Sequence, residues 1–216
     1  MLHTILPTQM QAAEQTAFAA GLSPLLTMET AARAAFDVLL DLLGCDCRGK
    51  NVLFLCGPGN NGGDGLVMAR LLLQARGFAR IILLDTPKTA EAQINLRHLQ
   101  DMGADIEAVP DELLEDEYDA VVDALFGTGF TGSIAADSPA GRLLTWANTC
   151  GPMLSIDVPS GMDAATGAVE GVCARAIWTV TFHRPKPGLY LTERRDCVGE
   201  ITVAPIGLPR ELDPQG

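Results

Sequence analysis

A glycine-rich segment at residues 57–65 is the first part of the sequence whose composition suits chemistry. It reads GPGNNGGDG and contains the pattern G-x-G-x-x-G between a short apolar run and a helical pattern. Glycines in such a turn let the backbone bend sharply and approach a ligand, and the helix that follows offers oriented N–H donors. Asn60, Asn61 and Asp64 add two amides and a carboxylate. The segment therefore predicts a cradle for a phosphate-bearing nucleotide, and a purely structural turn is the alternative.

Two further segments end an apolar run with an acid. Residues 121–133 read VVDALFGTGFTGS, with Asp123 near the end of the run and glycines and hydroxyls after it, which suit a second phosphate or a ribose. Residues 155–163 read SIDVPSGMD, in which Asp157 ends the run and Ser160 follows in a sharp turn without the G-x-S-x-G context of a hydrolase nucleophile. Ligands bind at the carboxyl ends of strands in open α/β sheets, so both segments are candidate parts of one site. The alternatives are an Asp123 that only accepts loop amides and a Ser160 that caps a helix.

The residues expected to converge at these strand ends carry only oxygen donors: Asn61, Asp123, Asp157 and Ser160. Hard cations take oxygen ligands, whereas transition metals prefer histidine or cysteine. So few carboxylates, with an amide and a hydroxyl, suit a monovalent cation such as K⁺ better than a tight Mg²⁺ cage.

Three other charged residues stand near predicted strand ends. Asp85 occupies the position at which a dinucleotide-binding fold often places its ribose-binding acid, and an ordinary turn residue is the alternative. Arg184 and Lys186 follow another strand. In so acidic a chain they are candidate phosphate partners, or else ordinary solvated charges.

Strands and helices alternate along most of the chain, which predicts an α/β fold with a mostly parallel sheet. Two helices open the chain, at residues 10–20 and 24–43; Thr8 with Gln11 is expected to cap the first, and Ser23 the second. Later helices are predicted at residues 65–76, 91–102 and 140–148. Strands are predicted at residues 51–56, 79–84, 105–109, 119–125, 153–158, 177–182 and 200–204. We expect one domain over residues 1–216, with residues 205–216 fraying.

Composition narrows the possible partners and locations. The formal net charge of −12 makes duplex nucleic acid and anionic membrane poor partners for the chain as a whole. No apolar run approaches the roughly 18 residues of a membrane span, and no secretory leader is expected, since the first lysine or arginine is Arg33. The six cysteines form no C-x-x-C pair, which favours free thiols and a cytoplasmic location.

At these motifs the sequence resembles the NAD(P)H-hydrate epimerase family, also called the YjeF N-terminal domain. The matching stretches are GPGNNGGDGLVMARLL, VDALFGTGFTG, SIDVPSGMDAATG and TFHRPKPGL, while QMQAAEQTAFAAG and LLTMETAARAAF look like the family's two N-terminal helices. The resemblance implies a Rossmann-like three-layer α/β/α sandwich, a homodimer, and an isomerase that interconverts the R and S forms of hydrated NADH and NADPH (NADHX and NADPHX). It also implies a dehydratase, fused or separate, that uses ATP or ADP to repair the S form.

The resemblance also implies individual site residues. Contacts to the hydrated dinucleotide are implied for Asn60, Asn61, Gly62, Gly63, Asp64, Gly127, Thr128, Gly129, Phe130, Thr131, Gly132, Ser133 and Asp157. K⁺ ligands are implied for Asn61, Asp123 and Ser160. We expect Asp157 to act as the general acid/base of the epimerisation. The chain departs from the family at Glu14, where an aspartate is usual, and at Thr30-Ala31-Ala32, where a glycine usually ends the triplet.

Two other functions remain open at this point. One is a non-catalytic nucleotide-binding or dimerising scaffold with the same fold, which would not need to keep Asp64, Asp123 and Asp157. The other is an ordinary NAD(P)-dependent oxidoreductase, for which the sequence shows no catalytic arrangement around its two tyrosines, Tyr118 and Tyr190.

Overall fold

One parallel sheet forms the centre of the computed structural model, which describes residues 3–113, 116–191 and 193–212. Its strands are β1 Asn51–Cys56, β2 Phe78–Leu83, β3 Asp105–Ala108, β4 Ala120–Ala124, β5 Met153–Ile156, β6 Trp178–Phe182 and β7 Glu200–Ala204. They lie in the order β3-β2-β1-β4-β5-β6-β7, and every neighbouring pair is parallel. The chain thus builds outwards from β1 in one direction and from β4 in the other. A crevice forms at the carboxyl ends of strands where the order reverses in this way.

Helices cover both faces of the sheet, because the central strands carry apolar side chains on both faces. The helices are α1 Pro7–Ala19, α2 Pro24–Leu42, α3 Asn60–Gln74, α4 Ala90–Asp101, α5 Pro139–Ala147, and the short α6 Gly188–Leu191 and α7 Arg195–Val198. Phe54 of β1 belongs to the core that includes α2 and α3, whereas its neighbours Leu53 and Leu55 belong to the core that includes α5. The predicted three-layer α/β/α sandwich is confirmed.

The start of α1 differs from the prediction. The helix begins at Pro7, whose fixed φ suits the first helical position, and Thr8 lies inside it. The capping contact runs from the backbone N–H of Leu6 to Oε1 of Gln9, at 2.9 Å. The capping box predicted for Thr8 and Gln11 is therefore wrong. In α2, by contrast, Ser23 Oγ does accept a hydrogen bond from the helix, as predicted.

The glycine-rich segment also differs from the prediction, because most of it is helix. We expected a helix from residue 65, but α3 begins at Asn60 and contains three glycines in its first two turns. These glycines allow close packing: a Cβ on Gly62 would lie 1.8 Å from the carbonyl oxygen of Gly57. Tertiary packing here outweighs the low intrinsic helix propensity of glycine.

The C-terminal segment is packed rather than frayed as far as residue 212. Ile206 and Leu208 are buried in the same core as α2 and α3, and a 3₁₀ turn at Arg210–Leu212 contacts α1. Apolar side chains spaced two apart let this extended segment continue the core beyond β7. The prediction of a frayed tail is thus wrong for residues 205–212, and residues 213–216 lie outside the described ranges.

Candidate functional site

A cavity of about 820 Å³ opens at the carboxyl ends of β1, β4 and β5, where the strand order reverses. It is lined by α1, the loop after β1 with the start of α3, the loop after β4, the residue that follows β5 and the last residue of β6. The lining residues are Pro7, Thr8, Gln11, Glu14, Pro58, Gly59, Asn60, Asn61, Asp64, Leu125, Phe126, Gly127, Thr128, Gly129, Phe130, Thr131, Asp157 and Phe182. Most of the predicted substrate contacts therefore meet in one place.

Asp157 lies just after β5 and has a left-handed backbone conformation, with φ of 67°. Non-glycine residues rarely adopt this conformation, and such residues cluster at functional sites. One carboxylate oxygen accepts the backbone N–H of Thr128 at 3.0 Å. The other lies 2.6 Å from Nζ of Lys186. The carboxylate is thus fixed from two sides while it borders the cavity.

Lys186 is completely buried, which corrects the interpretation of this residue as a phosphate partner or a solvated charge. Its ammonium group donates to Asp157, to Oγ1 of Thr181 at 3.1 Å and to the carbonyl oxygen of Phe182 at 3.0 Å. These three acceptors satisfy its three donors. A buried charge of this kind is tolerated because it is paired and hydrogen-bonded, so Lys186 holds Asp157 in place. Arg184 is only half-buried.

Two further carboxyl groups line the same cavity, and both hold their protons more tightly than usual. Burial raises the pKa of Glu14 to about 7; the nearby charge of Asp157 adds to the shift, and Lys186 opposes it. Burial also raises the pKa of Asp64 well above its ordinary value, with Asp157 and Glu14 contributing. The cavity thus combines a carboxylate paired with a lysine and two carboxyl groups that favour the neutral form. Such differences in proton affinity are typical of acid/base sites.

Gly127 separates Asn61 from Asp157 at the wall of the cavity. A Cβ added to Gly127 would lie 3.0 Å from Oδ2 of Asp157 and 3.2 Å from Oδ1 of Asn61. The side-chain nitrogen of Asn61 is buried and is one of the few such atoms, among the described residues, without a hydrogen-bond partner. Amide nitrogen and oxygen are told apart by their hydrogen bonds, so the reverse orientation would present an oxygen at this point.

Asp123 and Ser160 form a buried pair beside the cavity rather than in its lining. Asp123 is fully buried and accepts hydrogen bonds from Ser160 Oγ at 2.6 Å, Ser160 N at 2.9 Å and Ser155 Oγ at 2.8 Å. Ser160 Oγ also accepts the N–H of Phe126 at 2.9 Å, which ties the loop after β4 to the turn after β5. Burial raises the pKa of Asp123, and these hydrogen bonds oppose the shift.

These donors fit a hard cation better than a transition metal. Asn61, Asp123 and Ser160 offer amide, carboxylate and hydroxyl oxygens, and the amide nitrogen of Asn61 is the unsatisfied buried atom described above. Within the described ranges no cluster of three or more histidine, cysteine, aspartate or glutamate residues could hold a metal ion. Oxygen donors of this kind would suit a hard cation, so the K⁺ site remains a prediction from the sequence.

Some predicted contacts lie away from the cavity. Gly62 and Gly63 are buried against the chain: a Cβ on Gly63 would lie 2.5 Å from Cε of Met28. Gly132 and Ser133 are exposed and do not line the cavity. Gly129, in contrast, lines the cavity and has open space where its Cβ would stand.

Asp85 has the environment of a turn residue. It is exposed beyond the end of β2, accepts the backbone N–H of Thr86 at 2.7 Å and forms an ion pair with Lys88 at 3.0 Å. These contacts lower the pKa of Asp85. It is absent from the cavity lining, so the structure favours the turn interpretation.

Sequence reasoning missed what Glu14 and Lys186 do at the site. For Lys186, the surrounding residues RPKPG gave no indication of burial. For Glu14 a signal existed: Thr8, Gln11 and Glu14 are polar residues spaced three apart, so they share one face of α1. Which way that face points depends on how the helix docks.

Comparisons with known proteins agree with this fold and show the family. A family model described as "YjeF-related protein N-terminus" matches residues 26–188. An NAD(P)H-hydrate epimerase from Nitrosopumilus maritimus is 35% identical over 192 residues, which cover 86% of each chain. A bifunctional NAD(P)H-hydrate repair enzyme Nnr from Pyrobaculum aerophilum is 36% identical over 98% of this chain and 43% of its own length.

The bifunctional relatives are longer than this chain, which spans 32% of the length of the Nnr from Moorella thermoacetica, with 38% identity. Among solved structures, yeast ynu0 covers 100% of this chain with 21% identity and a TM-score of 0.78, so it shares the fold. Within the described ranges no helix is both long and apolar enough to cross a membrane.

Proposed function

This chain belongs to the family described as YjeF-related protein N-terminus, and we propose that it is an NAD(P)H-hydrate epimerase, an isomerase that interconverts the R and S forms of NADHX and NADPHX. The observation that carries the proposal is one cavity bordered by Asp157, the start of α3 and the loop after β4. The relatives named as NAD(P)H-hydrate epimerase and repair enzyme support the choice of substrate.

The start of α3 and the loop after β4 are suited to hold a dinucleotide. The first backbone N–H groups of a helix have no partner within the helix, and together with the helix dipole they favour a phosphate. Asn60 and Asn61 begin α3 at the cavity wall, while Thr128 and Thr131 offer hydroxyl groups from the facing loop. We propose that these segments, with Asp64, bind the two phosphates and riboses, and that Gly62, Gly63, Gly132 and Ser133 support them from behind or at the rim.

Epimerisation at C6 of the hydrated nicotinamide ring requires the hydroxyl to leave and to return on the other face. The lone pair of the ring nitrogen forms a C=N bond as the C6–O bond breaks, which leaves an iminium cation and needs a proton for the departing hydroxyl. A water molecule then adds to C6 and gives up a proton. Asp157 is the proposed acid/base for this exchange, since its carboxylate borders the cavity and is held there by Lys186.

The charge of Asp157 has a second effect. A fixed carboxylate close to the ring stabilises the iminium cation at the moment it forms, and a partly enclosed cavity weakens this attraction less than water would. Lys186 pairs with one oxygen of this carboxylate, and the other oxygen accepts the N–H of Thr128 in the loop that lines the cavity.

We also propose that Asn61, Asp123 and Ser160 hold a K⁺ ion beside the substrate phosphates. A bound K⁺ would supply positive charge where the carboxylates and the phosphates meet. The proposal predicts that KCl raises the unfolding temperature more than tetramethylammonium chloride of the same ionic strength. In Asn61→Ala the two salts should act alike; equal action on the wild type would contradict the K⁺ site.

We propose a cytoplasmic homodimer that works with an ATP- or ADP-dependent dehydratase, as a separate chain or as part of the same one. All six cysteines are free, as expected of a reducing compartment. Sedimentation equilibrium measures the oligomeric state directly, and a monomer at micromolar concentration would contradict the dimer.

A coupled assay tests the activity. A mixture of R and S hydrated NADPH is incubated with an S-specific dehydratase and ATP, first alone and then with this protein. We expect recovery of NADPH to rise from the S fraction to nearly the whole mixture, faster than spontaneous epimerisation. Persistence of the R form at its uncatalysed rate would favour the alternative, a nucleotide-binding scaffold.

A further inference from the structure

One face of α1 forms a polar wall of the cavity. Pro7, Thr8, Gln11 and Glu14 line it, and the last three are spaced one helical turn apart. The other face of α1 buries Met10, Ala13 and Ala17. The segment before the helix is tied down as well, because Ile5 is buried and its N–H donates to the carbonyl oxygen of Pro185 at 3.0 Å. This wall therefore has a fixed position, although it lies outside the residues matched by the family model, 26–188.

Glu14 is the only ionisable residue of this wall among the described lining residues. Its carboxyl group is half-buried at the cavity and faces titratable groups from three other parts of the chain: Asp64 of α3, Asp157 after β5 and Lys186 after β6. Burial raises its pKa to about 7, so near neutral pH it exists both as a proton donor and as a proton acceptor. An apolar residue at this point of the helix would pack better than a carboxyl group does.

The proposed reaction needs proton transfer on two faces of one ring. The hydroxyl leaves from one face, and water adds from the other. Asp157 is fixed by Lys186 and by the N–H of Thr128, so it cannot move from one face of the ring to the other. A second group, carried by a different wall, would transfer the proton on the opposite face without such a movement.

We propose that Glu14 is this second proton-transfer residue and serves the ring face opposite to the one served by Asp157. The inference rests on the proposed epimerase function and assigns a residue of α1 to it.

Each direction of the reaction uses both carboxyl groups. The neutral Glu14 carboxyl gives its proton to the departing hydroxyl, the C6–O bond breaks, and the ring nitrogen lone pair forms the C=N bond, which releases water. A water molecule on the other face then adds to C6, the C=N electrons return to nitrogen, and the Asp157 carboxylate takes the proton. The reverse direction uses the same two groups in exchanged roles, and proton exchange with solvent resets them.

A mechanism with two acid/base groups predicts a pattern of isotope labelling that a mechanism with one group does not. In water labelled with ¹⁸O, each carboxyl alone can still expel the hydroxyl on its own face and return labelled water to that face. Glu14→Gln should therefore reduce epimerisation by about 100-fold or more. Label should nevertheless continue to enter the epimer whose hydroxyl lies on the Asp157 side, at a rate near that of the wild type. Asp157→Asn should show the opposite preference, with label entering only the other epimer.

The experiment uses separated epimers of hydrated NADH, mass spectrometry for the label, and subtraction of the spontaneous rates. Glu112→Gln is the matched control, since Glu112 is exposed and lies outside the cavity lining. Glu14→Asp should retain labelling of both epimers at a lower rate, because it keeps the carboxyl group. Circular dichroism verifies that each variant is folded.

Failure of the role proposed for Glu14 and failure of the epimerase function would give different results. If Glu14→Gln epimerises at the wild-type rate, or if it loses label in both epimers equally, Glu14 is not the second proton-transfer residue. If the wild type does not epimerise, the proposed function itself fails. Should Glu14→Gln not fold, the wild-type pH profile still decides: label entry into the Glu14-side epimer should fall as pH rises through about 7, and a flat profile between pH 6 and 8 would overturn the inference.

Discussion

The ends of β4 and β5 carry the same residue type in very different surroundings. Asp123, in β4, is fully enclosed, and three of its hydrogen bonds come from the side chains and backbone of Ser155 and Ser160. Asp157, just after β5, borders the cavity and is paired with the buried Lys186. Two aspartates at the carboxyl edge of one parallel sheet thus differ in which donors satisfy them and in whether they border the cavity.

We expect the largest effect on activity from a substitution of Asp157. We expect Asp157→Asn to lower epimerisation by about 100- to 10,000-fold, the usual contribution of an acid/base group. The variant should also lose about 3–5 kcal/mol of stability, because Lys186 would stay buried without its counter-charge. Coupled assay and urea denaturation measure the two effects.

A double variant separates these two consequences. Asp157→Asn combined with Lys186→Met replaces the ion pair by neutral groups, and it should recover most of the lost stability. Epimerisation should stay absent, because the acid/base group is still missing. Full activity in either variant would show that Asp157 resembles Asp123 and only supports the fold.

At Asp123 we expect the opposite balance between stability and activity. Asp123→Asn replaces an acceptor by a donor opposite the N–H and hydroxyl donors of Ser160, so it should cost about 3 kcal/mol of unfolding free energy. Activity per folded molecule, measured at saturating K⁺, should fall much less than in Asp157→Asn. A stable but inactive Asp123→Asn would place Asp123 in the chemistry and remove the contrast between the two strands.

A third carboxyl group, that of Glu14, should make the free energy of unfolding depend on pH. Its pKa is raised from 4.5 to about 7 in the folded chain. Between pH 4.5 and pH 7 the folded state therefore keeps a proton that the unfolded state has released. The stability that this proton provides is complete below about pH 4.5 and is lost as pH rises through 7. Glu14→Gln should therefore match the wild type at pH 4 and exceed it by about 2–3 kcal/mol at pH 8.

Urea denaturation at the two pH values measures this difference, with Glu112→Gln as the control that should follow the wild type at both. An increase in stability together with a loss of epimerisation would mean that the chain keeps Glu14 for function. Equal stability of Glu14→Gln and the wild type at pH 8 would show that the carboxyl is well solvated and the raised pKa is wrong.

The sequence predicted the central sheet closely, whereas side-chain pairing at the site lay beyond it. The bounds of β1 and β7 agree with the prediction, because apolar runs between turns mark strands that are buried or half-buried. The start of α3 was missed because glycines disfavour helices locally, and only packing against neighbouring segments explains them. The pairing of Asp157 with Lys186 joins residues 29 positions apart, and no local pattern indicates it.

Asp85 provides the smallest expected effect and tests whether a third strand end takes part. It follows β2, as Asp157 follows β5, but it is exposed and paired with Lys88 at the surface. Exposed ion pairs contribute little because water and salt screen them. Asp85→Asn should therefore leave kcat, KM for the hydrated dinucleotide and the urea midpoint unchanged within error. A rise in KM confined to this variant would mean that Asp85 contacts the ribose, and that the site extends across β1 to the end of β2.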